Sequence, residues 1–406
     1  MKNKNIGMVL DLGKKPFPHD VRVEKEAIAL ADEGYNIFIL VRKNGKTLSQ
    51  EIFKKRITII RKDIKITTNF FEKGFNNLRL RFPEWENSIE QFVLEYNIDV
   101  LHVHDLILCK STLRIAKKYN LKCVLDFHEN FPAALVAFRS NYKFFKRLIY
   151  SIFLNYYLFR WYEKKVVLEA DRLILVVKEA KKRFEKLNIE DKTFIVSNTE
   201  NEESFPSKNL KFTKKFESQY KGFFKIVYAG GGGPHRGLDT VIRSLPIVTK
   251  EICKLKIIIV GATISTVYKQ KPIIDKYAKN LEFIPWLEPN KMKLYMMLSD
   301  VCLVPHNDFE HTNTTIPHKL FQYMILGKAV LVSDCPPLKK VVDSSKSGMV
   351  FRRNDVLDFA KSLIYMFKNK SSLKKMALNG YKASRNKYSW DKDKNVLVTM
   401  YNDLLK

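Results

Sequence analysis

The stretch Ile226-Val-Tyr-Ala-Gly-Gly-Gly-Gly-Pro-His-Arg-Gly-Leu-Asp-Thr240 reads as a buried strand, a run of glycines, one cation and the start of a helix. Gly230, Gly231, Gly232 and Gly233 remove every Cβ at the strand end, so backbone N–H groups can approach a ligand closely and take positive φ angles. From Leu238 the apolar residues Val241, Ile242, Leu245 and Val248 follow at helical spacing, so the loop empties into a helix N-terminus. Such an end carries orphan donors and about half a positive charge, which suits a phosphate group, and Arg236 adds a fixed fork of donors. The run is neither a GxGxxG fingerprint, because after Gly230 and Gly232 the next spaced glycine is Gly237, nor a P-loop ending in Gly-Lys-Ser/Thr. A glycine-rich turn with no ligand is the bland alternative, and the position of the loop in the chain decides between the two.

Working outward, short apolar β-branched runs alternate with helical patterns on both sides of this stretch. Before it lie Ile6–Leu10, Tyr35–Val41, Ile57–Ile60, Val100–Val103, Cys123–Phe127, Leu173–Val177 and Phe194–Val196. From it onward come Ile226–Ala229, Ile257–Val260, Leu281–Ile284, Val301–Val304, Ala329–Val332 and Met349–Phe351. Continuous apolar runs of this length predict parallel strands buried on both faces, so each half reads as its own doubly wound α/β sheet. With 406 residues the chain exceeds one ordinary core. The expected division is a first domain over 1–200, a polar linker over 201–222, a second domain over 223–385 and a terminal helix over 386–406. Ligands of such sheets bind at the carboxyl ends of the strands, and two such domains facing each other enclose a cleft.

Hydrophobic residues make up 46% of the chain, which excludes a disordered polymer. The five cysteines, Cys109, Cys123, Cys253, Cys302 and Cys335, lack CxxC pairing, which argues for a reducing compartment, the cytoplasm, and against a disulfide framework or zinc site. The basic start Met1–Asn5 leads into an apolar run too short for a signal peptide, and no uninterrupted apolar stretch reaches the roughly 18 residues of a membrane span. The net charge of +29 attracts polyanions or anionic lipid headgroups, but no nucleic-acid-binding signature accompanies it. A lysine-rich compositional bias is the alternative reading of that charge.

Several motifs stand in a recognisable order. They include Pro18-His-Asp-Val-Arg-Val-Glu-Lys-Glu26, Asp99-Val-Leu-His-Val-His-Asp105, Leu125-Asp-Phe-His-Glu129, Ala170-Asp-Arg-Leu-Ile-Leu-Val-Val177 and Val196-Ser-Asn198. The glycine loop, Leu298-Ser-Asp-Val-Cys-Leu-Val-Pro305, Pro317–Asp334 and the tail from Tyr388-Ser-Trp390 to Tyr401 follow. In this order, over nearly its whole length, the chain resembles the GT4-type retaining glycosyltransferases of the GT-B fold. The resemblance implies two Rossmann-like domains facing across a cleft, with the last helix crossing back to the first domain. It also implies a nucleotide-sugar donor held mainly by the second domain, a glycan or lipid-linked acceptor held mainly by the first, and no metal or other cofactor.

Glycosyl transfer needs stabilisation of the departing nucleoside diphosphate, so preorganised positive charge is the largest effect to look for. Arg236 and Lys319 are the candidates. Arg236 takes the place where relatives carry a lysine, and the place of their earlier arginine holds glycine. Where many relatives carry two glutamates, this chain has Thr314 and Gln322; an amide at Gln322 keeps one acceptor for a ribose hydroxyl but excludes a catalytic carboxylate there. The loop His306–Thr315 matches the family's cover over the donor sugar, making Asn313, Thr314 and Thr315 candidate contacts, with a plain polar loop as the alternative. Gly13-Lys-Lys15 follows the first strand where relatives have a glycine-rich loop near the donor phosphates. Trp286 lies where a base could stack, with core packing as the expected role.

His128 matches the histidine that approaches the reacting sugar in relatives, where a neutral imidazole can donate to a hydroxyl. His102 and His104 alternate along their strand and are expected on opposite faces, at least one of them packed in the core. A metal cluster of these three is not expected, because helix-type i, i+4 ligand spacing is missing. Asp391-Lys-Asp393 mimics a metal-binding DxD but opens a terminal helix, which predicts a solvated cap. For the acceptor, Phe70–Phe82 and Tyr142–Trp161 interleave aromatics with cations, the composition of an interfacial helix on an anionic membrane; the alternative is a core helix with a basic edge. Competing functions are a nucleotide-sugar 2-epimerase of the same fold, an inactive scaffold, and a nucleic-acid-binding protein resting on charge alone.

Overall fold

A computed structural model describes the whole chain except residues 1–3, 14–16, 19, 46, 66–68, 81, 207–209 and 211. It divides into two compact units, one of Met1–Ser197 with Asp393–Lys406 and one of Asn198–Lys392.

In unit one, eight strands lie in the order β3-β4-β2-β1-β5-β6-β7-β8. They are β1 (Asn5–Val9), β2 (Asn36–Arg42), β3 (Gln50–Lys54), β4 (Ile57–Lys62), β5 (Val100–His104), β6 (Lys122–Phe127), β7 (Arg172–Leu175) and β8 (Thr193–Ile195). All neighbours run parallel except β3 and β4. Strand β3 is an addition to the expected set. Its residues Gln50-Glu-Ile-Phe-Lys54 alternate exposed with half-buried, so it lacks the apolar run that marks a central strand and carries the charge of a protected edge.

Unit two holds β9 (Phe224–Ala229), β10 (Leu255–Val260), β11 (Leu281–Ile284), β12 (Val301–Val304), β13 (Ala329–Ser333) and β14 (Gly348–Phe351), ordered β11-β10-β9-β12-β13-β14 and all parallel. Residues Ile226–Ala229 and the whole of β12 are buried, as strands covered by helices on both faces must be. In each sheet the strand order reverses beside the first strand of the unit, between β1 and β5 and between β9 and β12. These are the points at which open α/β sheets form a crevice at their carboxyl ends. Gly230 and His306 follow β9 and β12; Asp11, Asp105 and His128 follow β1, β5 and β6.

The segment 201–222 contains the helix Lys214–Gln219, and Phe216 packs edge-on against Tyr220 and Tyr295, 5.5 and 5.0 Å between centroids. The long helix Trp390–Leu404 counts from Asp393 in unit one, where it buries Leu397, Met400 and Tyr401. Of the basic-aromatic segments, the helix Tyr156–Glu169 buries Phe159, Tyr162 and Val166, as a core helix does. The helix Phe144–Phe153 buries none of its residues, so the core-helix alternative fails there. No helix among the described residues is long and apolar enough to cross a membrane.

Candidate active site

In unit two the glycine loop is shaped by two positions. Gly237 has φ +68°, and a Cβ there would lie 1.6 Å from the Pro305 carbonyl oxygen, so only glycine lets the loop after β9 close on the loop after β12. At Gly230, φ is +131° and a Cβ would lie 2.6 Å from Lys319 Nζ. Gly231 faces open space, while its carbonyl accepts the Tyr228 hydroxyl at 2.7 Å. Pro234–Arg236 form a 3-10 turn, and the single helix expected from Leu238 to Val248 is two short ones, Leu238–Arg243 and Leu245–Glu251. The break at Ser244 precedes Pro246, which offers no backbone N–H to continue the ladder. The anion seat therefore rests more on side-chain cations than on a long helix dipole.

Those cations converge. Lys319, at the start of the helix His318–Ile325, holds its ammonium 3.8 Å from the centre of the Tyr228 ring. Arg236 Nη1 lies 3.2 Å from His306 Nε2. Neither forms an ion pair with a carboxylate among the described residues, whereas the buried Arg22 and Arg183 and the half-buried Lys225 and Arg353 each do. Burial first, and then the Arg236 charge, pull the Lys319 ammonium well below the usual lysine range. The same two causes, in that order, hold His306 far below and His235 at about 2, so these rings are neutral beside the two cations. A site with unanswered positive charge and neutral hydrogen-bonding rings is matched to a polyanion.

Trp286 is not a core residue. It is 67% exposed, and its ring lies against Gly261 at the end of β10, where a Cβ would be 3.0 Å from Trp286 Cε3 and 3.1 Å from the Gly230 oxygen. The loops after β9, β10 and β11 therefore meet around Gly261, and an open aromatic face stands next to the glycine loop.

The remaining donor-side candidates are more committed. Asn313 spends both ends of its amide, donating to Asp308 Oδ1 at 2.8 Å and accepting from Arg353 Nη1 at 2.6 Å. The hydroxyls of Thr314 and Thr315 donate to the carbonyls of Glu310 and His311 at 2.7 and 3.0 Å, leaving lone pairs but no proton to offer. Gln322 Nε2 donates to Glu200 Oε1 at 3.1 Å; Glu200 is fully buried and also takes His318 Nδ1 at 3.3 Å and the Ser204 hydroxyl at 2.9 Å. A carboxylate missing from position 322 in the sequence is thus supplied in space by Glu200. Sequence reasoning passed over Glu200 because it sits in a polar run; its one signal was an acidic residue two positions after the strand-end segment Val196-Ser-Asn198.

In unit one His128 belongs to a buried charged network. Its Nε2 lies 2.9 Å from Asp126 Oδ2 and 3.1 Å from His104 Nδ1, and its Nδ1 lies 3.8 Å from Asp105 Oδ2. Burial alone would lower its pKa, but the carboxylates of Asp105 and Asp126 outweigh that and hold it at about 10. His128 is therefore an imidazolium at neutral pH, not the neutral ring expected. Asp105 itself stands at φ +64°, a strained position for a non-glycine residue of the kind found at functional strand ends. Asp126 is gripped by Arg22 through Nε at 2.9 Å and Nη2 at 2.7 Å, and burial, which favours its acid form, is overcome by Arg22 and then His128, so it stays ionised. Arg22 Nη2 also reaches Glu26 Oε1 at 3.1 Å, and the Tyr401 hydroxyl meets His102 Nδ1 at 2.9 Å.

His102 and His104 share one face of β5, their rings stacked 4.3 Å apart, against the expectation of opposite faces. Residues two apart occupy one repeat of the pleat and point the same way. The absence of helix-type spacing was also no guide to clustering: Glu26, His102, His104 and Asp126, from a helix and two strands, bring one ligand atom each within 4.8 Å of one another. Among these groups, however, the Arg22 guanidinium already contacts both carboxylates, so a fixed positive charge occupies the place a cation would take. Gly13, at φ +64°, donates its N–H to Asp11 Oδ1 at 2.9 Å; Lys14 and Lys15 lie outside the described residues.

Comparison with known proteins settles the family. Residues 21–200 match the family model described as Glycosyltransferase Family 4, and residues 211–383 match Glycosyl transferases group 1. The chain is a GT4-type glycosyltransferase. A curated relative, an uncharacterised glycosyltransferase of Methanocaldococcus jannaschii, is 19% identical over 375 residues, covering 89% of this chain and 88% of its own. Among solved structures, sucrose-phosphate synthase of Thermosynechococcus elongatus superposes with a TM-score of 0.77 at 15% identity, covering 99% of each chain. Anabaena HepE, solved in complex with UDP-glucose, gives 0.69 at 12% identity over 98% of this chain and 99% of its own. These likenesses show that the glycosyltransferase has the GT-B fold.

Proposed function

We propose that this glycosyltransferase moves a sugar from a nucleotide-sugar donor to a glycan or lipid-linked acceptor with retention at the anomeric carbon and without a metal. The observation that carries the reading is the convergence of Arg236 and Lys319, two cations with no carboxylate ion pair among the described residues, on a glycine loop whose Gly231 faces open space. As the bond between the sugar and the diphosphate breaks, negative charge grows on the departing phosphate oxygens; Arg236, charged beforehand, and Lys319, protonated beside the bound diphosphate, stabilise it without reorganising in the reaction step. Loss of a bound anion's water is offset because Lys319 regains its proton affinity next to that anion. The base stacks on Trp286, and Gln322, its amide anchored by the buried Glu200, holds the ribose. On the acceptor side, the His128 imidazolium donates to a sugar or acceptor hydroxyl from unit one. The solvent-facing aromatic helix Phe144–Phe153, with its Lys146 and Arg147, docks on an anionic membrane from the cytoplasmic side, which fits a role in polysaccharide or glycolipid assembly.

The test is a calorimetric panel of UDP, GDP and their sugars, with UDP-glucose first because Anabaena HepE was solved with it. Micromolar binding of one nucleotide that falls at least tenfold in Arg236→Ala supports the site. Unchanged affinity in that variant overturns it.

A further inference from the structure

Unit one contains a cavity of about 540 Å³ that none of the groups described so far fills. Its volume lies in the range of small-molecule sites. One wall is the carboxyl edge of the sheet, with Asp11 after β1 and Arg42 at the end of β2, joined by a 3.2 Å ion pair. Arg42 Nε is buried there with no hydrogen-bond partner among the described residues. The other walls are mainly apolar, built from residues such as Trp85, Leu108, Phe131, Leu135 and Phe153, with Asn76, Asn77 and Glu84 also lining the cavity. The helices Phe70–Arg79 and Phe144–Phe153 cover it, crossing so closely that a Cβ on Gly74 would lie 2.4 Å from Phe153 Cδ1.

The outer faces of these covering helices are also apolar: Phe71, Phe75, Phe144, Phe145, Ile149 and Ile152 are all exposed. Soluble surfaces seldom gather so many large apolar side chains without a partner. The cover is therefore greasy on both sides, and the cavity beneath it runs from hydrocarbon-like walls to a charged end at the strand termini where the unit's reactive groups lie. A free sugar would leave those aromatic walls wet, and a wholly apolar ligand would strand the Asp11–Arg42 pair and the unpartnered Arg42 donor. We infer that the cavity binds the hydrocarbon chain of an amphipathic acceptor, with its polar, phosphate-bearing head at the Arg42 end and its tail under the helix Phe144–Phe153. This deepens the reading of unit one as the acceptor side and rests on it; it commits that acceptor to a lipid.

The probe is dodecyl phosphate below its critical micelle concentration, with shorter alkyl phosphates and inorganic phosphate alongside, titrated against the full-length protein by calorimetry. Affinity should rise about fourfold per added methylene until the tail fills the cavity, and inorganic phosphate should bind far more weakly. Leu135→Trp, which fills the cavity from a half-buried position, should weaken dodecyl phosphate at least tenfold while leaving UDP binding and the thermal midpoint unchanged. Phe145→Glu with Ile149→Glu, on the outer face, should abolish flotation with anionic vesicles yet keep dodecyl phosphate binding, which separates a tail site from general adhesion to lipid. Chain-length independence, or equal binding by Leu135→Trp, overturns the inference. UDP binding is read in the same samples, so a protein that binds the alkyl phosphate and no nucleotide would refute the donor reading and leave the cavity assigned.

Discussion

Gln322 donates to Glu200 at 3.1 Å inside unit two, and Glu200 is fully buried. Installing the glutamate that relatives carry, Gln322→Glu, would press two carboxylates together, and one would have to stay protonated. We predict a thermal midpoint that drops as pH rises above about 6 and recovers on acidification. The exchanged pair Glu200→Gln with Gln322→Glu restores one carboxylate and one amide and should melt close to wild type at every pH. Melting curves of the three proteins between pH 5 and 8 check this.

Lys319 offers a second prediction. Burial and Arg236 hold its ammonium well below the usual range in the ligand-free protein, and a bound diphosphate reverses the balance. Nucleotide binding should therefore take up protons. Calorimetric enthalpies should vary with the ionisation enthalpy of the buffer, and Lys319→Met should abolish that dependence and weaken binding by tenfold or more.

The glycines give a graded series. Gly237→Ala forces a Cβ onto the Pro305 backbone at a positive φ and should cost about 2 kcal/mol or more of stability. Gly230→Ala meets the end of the flexible Lys319 side chain but is also strained by its φ of +131°, so affinity should fall and stability with it, by less than in Gly237→Ala. At Gly231, where nothing lies within 4 Å, alanine should leave both unchanged. Denaturant titration alongside nucleotide binding separates the three.

His128 carries the pH prediction. Its pKa is raised from 6.5 to about 10, so its contribution to stability is fully present below pH 6.5 and is lost as pH rises through about 10. Removing the charge with His128→Ala should flatten the alkaline fall in stability over that window. Nitrogen chemical shifts of the ring should show both nitrogens protonated at pH 7.

Arg22 holds two buried carboxylates. Arg22→Leu leaves Asp126 without its two-pronged partner in a buried site and should cost roughly 3–5 kcal/mol. Burial and then Asp126 already push the Glu26 carboxyl up to about 8, so adding Glu26→Gln should change little at pH 7 and recover stability only in more alkaline solution; chemical denaturation at pH 7 and above measures both.

The central strands were legible because parallel strands covered on both faces leave unbroken apolar runs, as in Ile226–Ala229 and Val301–Val304. Strand β3 was not, since an edge needs only one half-buried face. The glycine loop announced itself through composition, and Arg236 and Lys319 through motif position. The side-chain partnerships did not: Glu200 lies in a stretch too polar to suggest burial, and Arg22 and Glu26 look like ordinary surface residues of the helix Val21–Asp32. Only folding reveals that the face they occupy at i and i+4 points inward. Trp286 was misjudged because aromatic residues after a strand usually pack inward, whereas here the glycine at 261 offers a shelf instead of a hole.

The bond between Tyr401 and His102 has a consequence for biosynthesis. Unit one is interrupted in sequence by Asn198–Lys392, so on the ribosome its buried tyrosine arrives only after all of unit two has been made. At typical elongation rates of 5–20 residues per second that interval is roughly 10–40 s. Throughout it, the nascent sheet waits with the His102 side uncovered, so the two units mature together although the first was translated long before.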